Sequence, residues 1–166
     1  MRDSVKVLLV TLSLAAAACG SSGGGKIVAG FVGVWAPASG VFTETCPGNT
    51  QNPTTTTQVT DPVTWSTATT SDLVQTIPNT TCLLHADISG STATAVAGST
   101  CTITTPASAT SDAFTDVIDI TSYSFVIMPD GKTASENYSG SDAETDNTTN
   151  AAGNCTFTQT ASYTKQ

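Results

Sequence analysis

Three groups of side chains in this 166-residue sequence have types and spacings that bear on chemistry. The first is Asp142-x-Glu144-x-Asp146, alternating carboxylates followed by the side-chain oxygens of Asn147, Thr148 and Asn150. Hard cations such as Ca²⁺ take oxygen sets of this kind. Asn147 stands where a calcium loop needs glycine, and no closing glutamate follows, so a solvated acidic loop without metal is the simpler expectation. The second group is His85, Asp87 and Ser89, alternating along one stretch. Alternate residues of a strand lie roughly 7 Å apart, beyond the hydrogen-bond reach a catalytic triad requires. The third is the set of cysteines at 19, 46, 82, 101 and 155. No Cys-x-x-Cys pair exists among them, so zinc is not expected.

Ser162-x-x-Lys165 completes the short patterns, but it sits on a strand at the chain's end rather than at a helix start with partner motifs. No acid, base and nucleophile come together anywhere, so the chain reads as non-enzymatic and without a cofactor.

The address of the protein is written in its first residues. Arg2 and Lys6 precede an apolar run from Val7 to Ala15, closed by Ala16-Ala17-Ala18-Cys19. Basic, apolar and small residues in that order make an export signal too short to remain as a membrane span. A cysteine directly after the small residues resembles the bacterial lipobox, with Ala16 where the usual box has leucine. The resemblance implies cleavage before Cys19, acylation of that residue and, with Gly20 rather than aspartate following, an outer-membrane destination. Gly20 to Gly25 then form a flexible tether. The expected organisation is a signal peptide over 1–18, a lipidated cysteine and tether over 19–26, and one domain over 27–166.

Charge narrows the partners. The whole chain carries −8, and past residue 18 it keeps three lysines, no arginine and twelve acids. Nucleic-acid binding needs a basic patch, and bidentate clamps on phosphate or carboxylate need guanidinium groups. Neither is offered, and anionic headgroups repel the domain. The expected partners are the membrane through the acyl chains, together with a small apolar ligand or another envelope protein, and the domain is expected to be a monomer.

The domain that would carry these groups is rich in Thr, Ser, Val and Ala, is punctuated by Gly and Pro, and has no sustained apolar period of 3.6; this is an all-β pattern. In Cys155–Thr164 the odd positions Cys155, Phe157, Ala161 and Tyr163 alternate with hydroxyls, which sets one face inward. Cys82, Leu84, Ala86 and Ile88 share a face in the same way, and Cys101 and Ile103 form a third inward pair. Met128-Pro129-Asp130-Gly131 predicts a hairpin between Tyr123–Met128 and Lys132–Ser139. Gly90 and Gly98 predict turns that make Thr81–Thr105 a three-stranded meander. Further strands are expected at Val41–Cys46, Thr54–Thr60, Leu73–Ile77 and Phe114–Ile120, with polar connectors at Asn49–Thr57 and Ser139–Asn154.

Eight to ten antiparallel strands suit one β-barrel or, as the alternative, a two-sheet β-sandwich. Setting Cys19 aside leaves four cysteines in an exported chain, hence two disulfides with three connectivities open. Antiparallel pairing of the chain ends favours Cys46–Cys155 as the lock of a barrel seam, leaving Cys82–Cys101. Those two lie on strands separated by a third, so the middle strand must stop short for the bond to cross. Ten aromatics and many alanines favour a small closed core.

Gly33-Val34-Trp35, near the start of an all-β domain of this size, is similar to the Gly-x-Trp motif that opens the lipocalin and wider calycin barrels. The resemblance implies that Trp35 plugs one barrel end and bears on a small apolar ligand held towards the other. The later arginine that packs on that tryptophan in those families has no counterpart here.

Overall fold

The structure, a computed structural model, describes residues 28–48, 53–78, 80–108, 113–150 and 152–166. After a single-turn helix, α1 (Val28–Phe31), ten strands follow. They are β1 (Gly33–Thr45), β2 (Thr54–Gln58), β3 (Val63–Thr67), β4 (Leu73–Thr76), β5 (Leu83–Ser89), β6 (Thr92–Ala95), β7 (Thr100–Thr105), β8 (Phe114–Ile127), β9 (Thr133–Asp146) and β10 (Ala152–Lys165). All belong to one antiparallel sheet, ordered β10-β9-β8-β6-β5-β4-β3-β1-β2, and β10 also pairs with β1, so the ladder runs in a ring. The all-β expectation holds.

The ring is lopsided for a reason visible in the chain. β8, β9 and β10 run 14 residues each, whereas β3, β4 and β6 run only four or five. The short strands lie where Pro62, Pro78, Gly90 and Gly98 interrupt the extended chain. At the end of the ring holding Trp35, β1 pairs with β3 and β8 with β6; further along, the same two edges are taken by β2 and β7. One end is therefore closed and narrow, and the other is a wide scoop of long strands.

Two bulges keep the apolar residues facing in. The β1–β10 register shifts between Pro37 and Ser39, and the β8–β9 register between Ile120 and Ser122. Each inserts one residue and resets the period-two parity. Ile120 and Tyr123, three residues apart, are consequently both buried. The same bulges explain two differences from the expected elements. Phe114–Ile120 and Tyr123–Met128 are a single strand, and the strand expected at Val41 begins eight residues earlier because Pro37 sits at the bulge. β3, which carries the buried Trp65, is a further strand that the sequence pattern did not disclose.

The expected acidic connector Ser139–Asn154 is instead the end of β9, a tight turn and the start of β10. Polar side chains do not prevent pairing when both neighbouring strands complete the backbone hydrogen bonds, as β8 and β10 do for β9. Gly140 marks the closest approach there: a Cβ would fall on the Asp119 carbonyl and the Phe157 ring.

The predicted hairpin at Pro129-Asp130 forms, with Asp130 accepting from the Lys132 and Thr133 amides, each at 2.9 Å. The expected meander is broken. β6 pairs with β5, but β7 leaves β6 and pairs with β8. Because β6 ends at Ala95, Cys82 reaches Cys101 with Cα atoms 5.7 Å apart. Cys46–Cys155 joins the ends of β1 and β10 at a Cα separation of 4.2 Å.

The closed end is an aromatic plug. Trp35, Trp65, Phe31 and Phe125 are fully buried, and Phe125 meets Trp35 edge-on with ring centroids 5.2 Å apart. Each such ring contributes on the order of 2–3 kcal/mol by burial. Gly33, at a φ of 124° reserved for glycine, swings the chain from α1 into β1. That swing lets the Trp35 indole N–H donate to the Phe31 carbonyl at 2.8 Å. Lys165 covers the plug, with its Nζ 5.3 Å from the Trp35 ring and 2.6 Å from the Gly30 carbonyl it donates to.

Candidate functional site

Three strands place a polar residue where their parity demands an apolar one. Gln75 follows Leu73 on β4, Glu136 lies between Ala134 and Tyr138 on β9, and Gln159 lies between Phe157 and Ala161 on β10. All three point inward, and Gln75 and Glu136 are 5% and 2% exposed. Burying such groups is unfavourable unless their hydrogen bonds are made inside.

The Glu136 carboxylate answers this with three donors. The Tyr123 hydroxyl donates to Oε1 at 2.8 Å, the Tyr163 hydroxyl to Oε2 at 2.8 Å, and Gln159 Nε2 to Oε2 at 2.7 Å. All three donors are neutral. Burial raises the Glu136 pKa, and the two tyrosine bonds and the glutamine bond pull against that rise. The same burial, reinforced by the Glu136 charge, pushes the Tyr123 and Tyr163 hydroxyls well up and holds them as phenols. Tyr138 beside them is also pushed up, first by burial and then by Glu136.

The network leaves one group over. Gln75 Nε2 donates to the Tyr123 oxygen at 3.3 Å. Because the only hydroxyl proton of Tyr123 is spent on Glu136, the amide end facing it has to be the nitrogen, which fixes the side-chain orientation. Gln75 Oε1 is then a buried acceptor with no partner.

A cavity of about 300 Å³ lies against this network, on the scoop side of the aromatic plug. Its walls include Phe42, Leu84, Ile120, Tyr138 and Phe157 beside Gln75, Glu136 and Tyr163. Its rim is formed by the β2–β3 and β4–β5 connections, with Asp61, Glu44 and Asp142 near the opening. The expected closed core is therefore not what forms. Gln75, Glu136 and Gln159 are tied to the tyrosines and to one another along the cavity wall.

Asp142, half-buried on the inner face of β9, has its pKa raised to about 6, first by burial and then by the charges of Asp116, Glu44 and Glu144. Glu144 lies two residues along the same strand and is exposed, and the Asp146 carboxylate accepts from the Thr148 and Thr149 amides at 2.7 and 3.0 Å. The stretch expected as a solvated acidic loop, and weighed as a calcium loop, is thus the end of a strand and a turn. Among the described residues, Glu44, Cys46 and Cys155 cluster as potential metal ligands, but both sulfurs are spent in a disulfide.

No protein-family model, curated protein or solved structure matches this chain. The site therefore stands on its own geometry.

Trp35 does not line the cavity; it seals the closed end. Cys19 and the leader lie outside the described residues. His85, on β5, is bonded through Nδ1 to Ser71 Oγ at 3.0 Å rather than to Asp87 or Ser89. The residues that matter most for the cavity, Gln75, Glu136 and Gln159, were missed as candidates. Their signal was available: each is a polar residue at an inward position of a strand whose boundaries the sequence had already suggested.

Proposed function

We propose that the chain is a non-enzymatic envelope lipoprotein, held at the outer membrane by acyl chains on Cys19, whose sheet forms a calycin-like barrel that binds a small, largely apolar ligand. The observation that carries this reading is the cavity, which is walled by aromatic and aliphatic side chains and has two unmatched polar atoms on its lining residues, Gln75 Oε1 and Asp142 Oδ1. Ligand sites are built that way, from apolar walls with a few placed polar groups. Closure of the ladder between β1 and β10 supports the barrel, and so does Lys165 over Trp35. That lysine sits where the resemblance would put an arginine against the tryptophan.

Mass analysis of the protein purified from its own host tests both halves. The expected product begins at Cys19, carries acyl mass on it, has four oxidised half-cystines, and releases a small non-covalent adduct on denaturation. An unmodified residue 19 in a soluble product would overturn the anchor. A cavity that arrives empty and takes up no apolar probe would overturn the ligand reading.

A further inference from the structure

We infer that the cavity selects a small protonated amine with an apolar body; this rests on the ligand-binding reading above. The two buried polar atoms on its wall that lack a partner, Gln75 Oε1 and Asp142 Oδ1, are both acceptors. Gln75 Oε1 is buried and unpartnered, and its orientation is fixed by the Tyr123 proton going to Glu136. The Glu136 carboxylate, with roughly four lone-pair sites, has three filled by Tyr123, Tyr163 and Gln159 and keeps room for one more donor. A guest that pairs with these atoms must bring N–H or O–H groups.

Charge then separates amines from alcohols. Among the described residues four acids line the cavity (Glu44, Asp61, Glu136 and Asp142), and no lysine, arginine or histidine does. Lys165 is committed to the closed end by its bonds to the Ala29 and Gly30 carbonyls. Glu136 is thus a buried carboxylate held by neutral donors alone, the arrangement that gains most from an incoming positive charge. The rings of Tyr138, Phe157 and Phe42 on the same wall suit an organic cation, whose apolar part they cover and whose charge they attract through their faces. At about 300 Å³ the space lies at the small end of ligand clefts and fits a single-ring amine better than a long acyl chain. Free anions are excluded by the same acids.

Calorimetric titration of the full exported protein in a neutral detergent, at pH 7.5 and low salt, tests this with three probes of one shape: phenethylamine, 2-phenylethanol and phenylacetate. The amine is expected to bind at least about tenfold more tightly than the alcohol, the worth of one charge-assisted hydrogen bond, and phenylacetate is expected not to bind. Gln75→Leu should remove about tenfold of the amine's affinity and weaken the alcohol by less, since a neutral hydroxyl makes the weaker bond to the same oxygen. Glu136→Gln is expected to go further and erase most of the amine's advantage over the alcohol, while phenylacetate stays excluded by Glu44, Asp61 and Asp142. An amide nitrogen at that position can donate to the Tyr123 oxygen, which frees the Tyr123 proton for Gln75 Oε1 and turns the Gln75 N–H groups to the cavity. Unchanged unfolding midpoints keep both variants interpretable, and either suffices if the other fails to fold. Equal affinity for amine and alcohol would overturn the amine inference while leaving a ligand-binding cavity. No binding of any of the three would overturn both.

Discussion

Replacing Glu136 by leucine puts the buried network to its hardest test. The substitution removes the acceptor of two buried phenol hydroxyls and one glutamine amide, at bond lengths of 2.8, 2.8 and 2.7 Å. A buried donor left without a partner costs roughly 1–3 kcal/mol. Three of them would cost about 3–9 kcal/mol, but removing the carboxylate also relieves its own burial, and Tyr123 can reach Gln75 Oε1 if the amide turns. The expected loss is about 3 kcal/mol, a large share of the ~5–15 kcal/mol that holds a domain together. Urea unfolding with both disulfides intact, followed by the fluorescence of the buried Trp35 and Trp65, reads it as a shift in midpoint at constant slope. The decisive companion is the triple variant Glu136→Leu with Tyr123→Phe and Tyr163→Phe. With the two phenol donors deleted as well, only the half-buried Gln159 amide is left without its acceptor, and the variant should recover to within about 1–2 kcal/mol of the starting protein, since removing both partners of a bond is far milder than removing one. A single variant within about 0.5 kcal/mol of the parent, or a triple variant less stable than the single one, would refute the account of the network.

Two further outcomes follow from the scoop end. Asp142 has a folded pKa near 6 against 3.8 unperturbed, so its contribution is most favourable when protonated and is lost as pH rises through about 6. Asp142→Asn should therefore be more stable than the parent at pH 7.5 by about 1 kcal/mol after allowance for solvent screening, with the gap closing near pH 4 in thermal or urea melts. The disulfides should differ in weight. Cys46–Cys155 closes 109 residues and Cys82–Cys101 only 19, so replacing the first pair by alanine should cost about 1.5 kcal/mol more than replacing the second, as compared by urea midpoints.

Much of the wall was readable in advance because strand parity is a local property. Cys155, Phe157, Ala161 and Tyr163 are buried as their spacing predicts, and so are Cys82, Leu84, Ala86 and Ile88. Parity failed where one residue was inserted. Nothing in Ile120-Thr121-Ser122 announces a bulge, because the shift exists only against the register of β9. The acidic run at 142–146 was misplaced for a related reason: polar composition suggested a loop, whereas partners on both sides made it a strand.

The sequence alone determined the all-β class, the inward faces and the hairpin at Pro129-Asp130-Gly131, and through the antiparallel meeting of chain ends it favoured, among three connectivities, the pairing that the four cysteines adopt. These depend on residue types and on spacings along one strand. The ring in which β1 meets both β3 and β10, the seating of Trp35 under α1 and Lys165, and the meeting of Gln75, Glu136 and Gln159 around one cavity were decided by tertiary structure. The last three come from β4, β9 and β10, which share no sequence neighbourhood. Only closure of the sheet tells a buried glutamate which hydroxyls it will face and leaves one amide oxygen waiting for a donor.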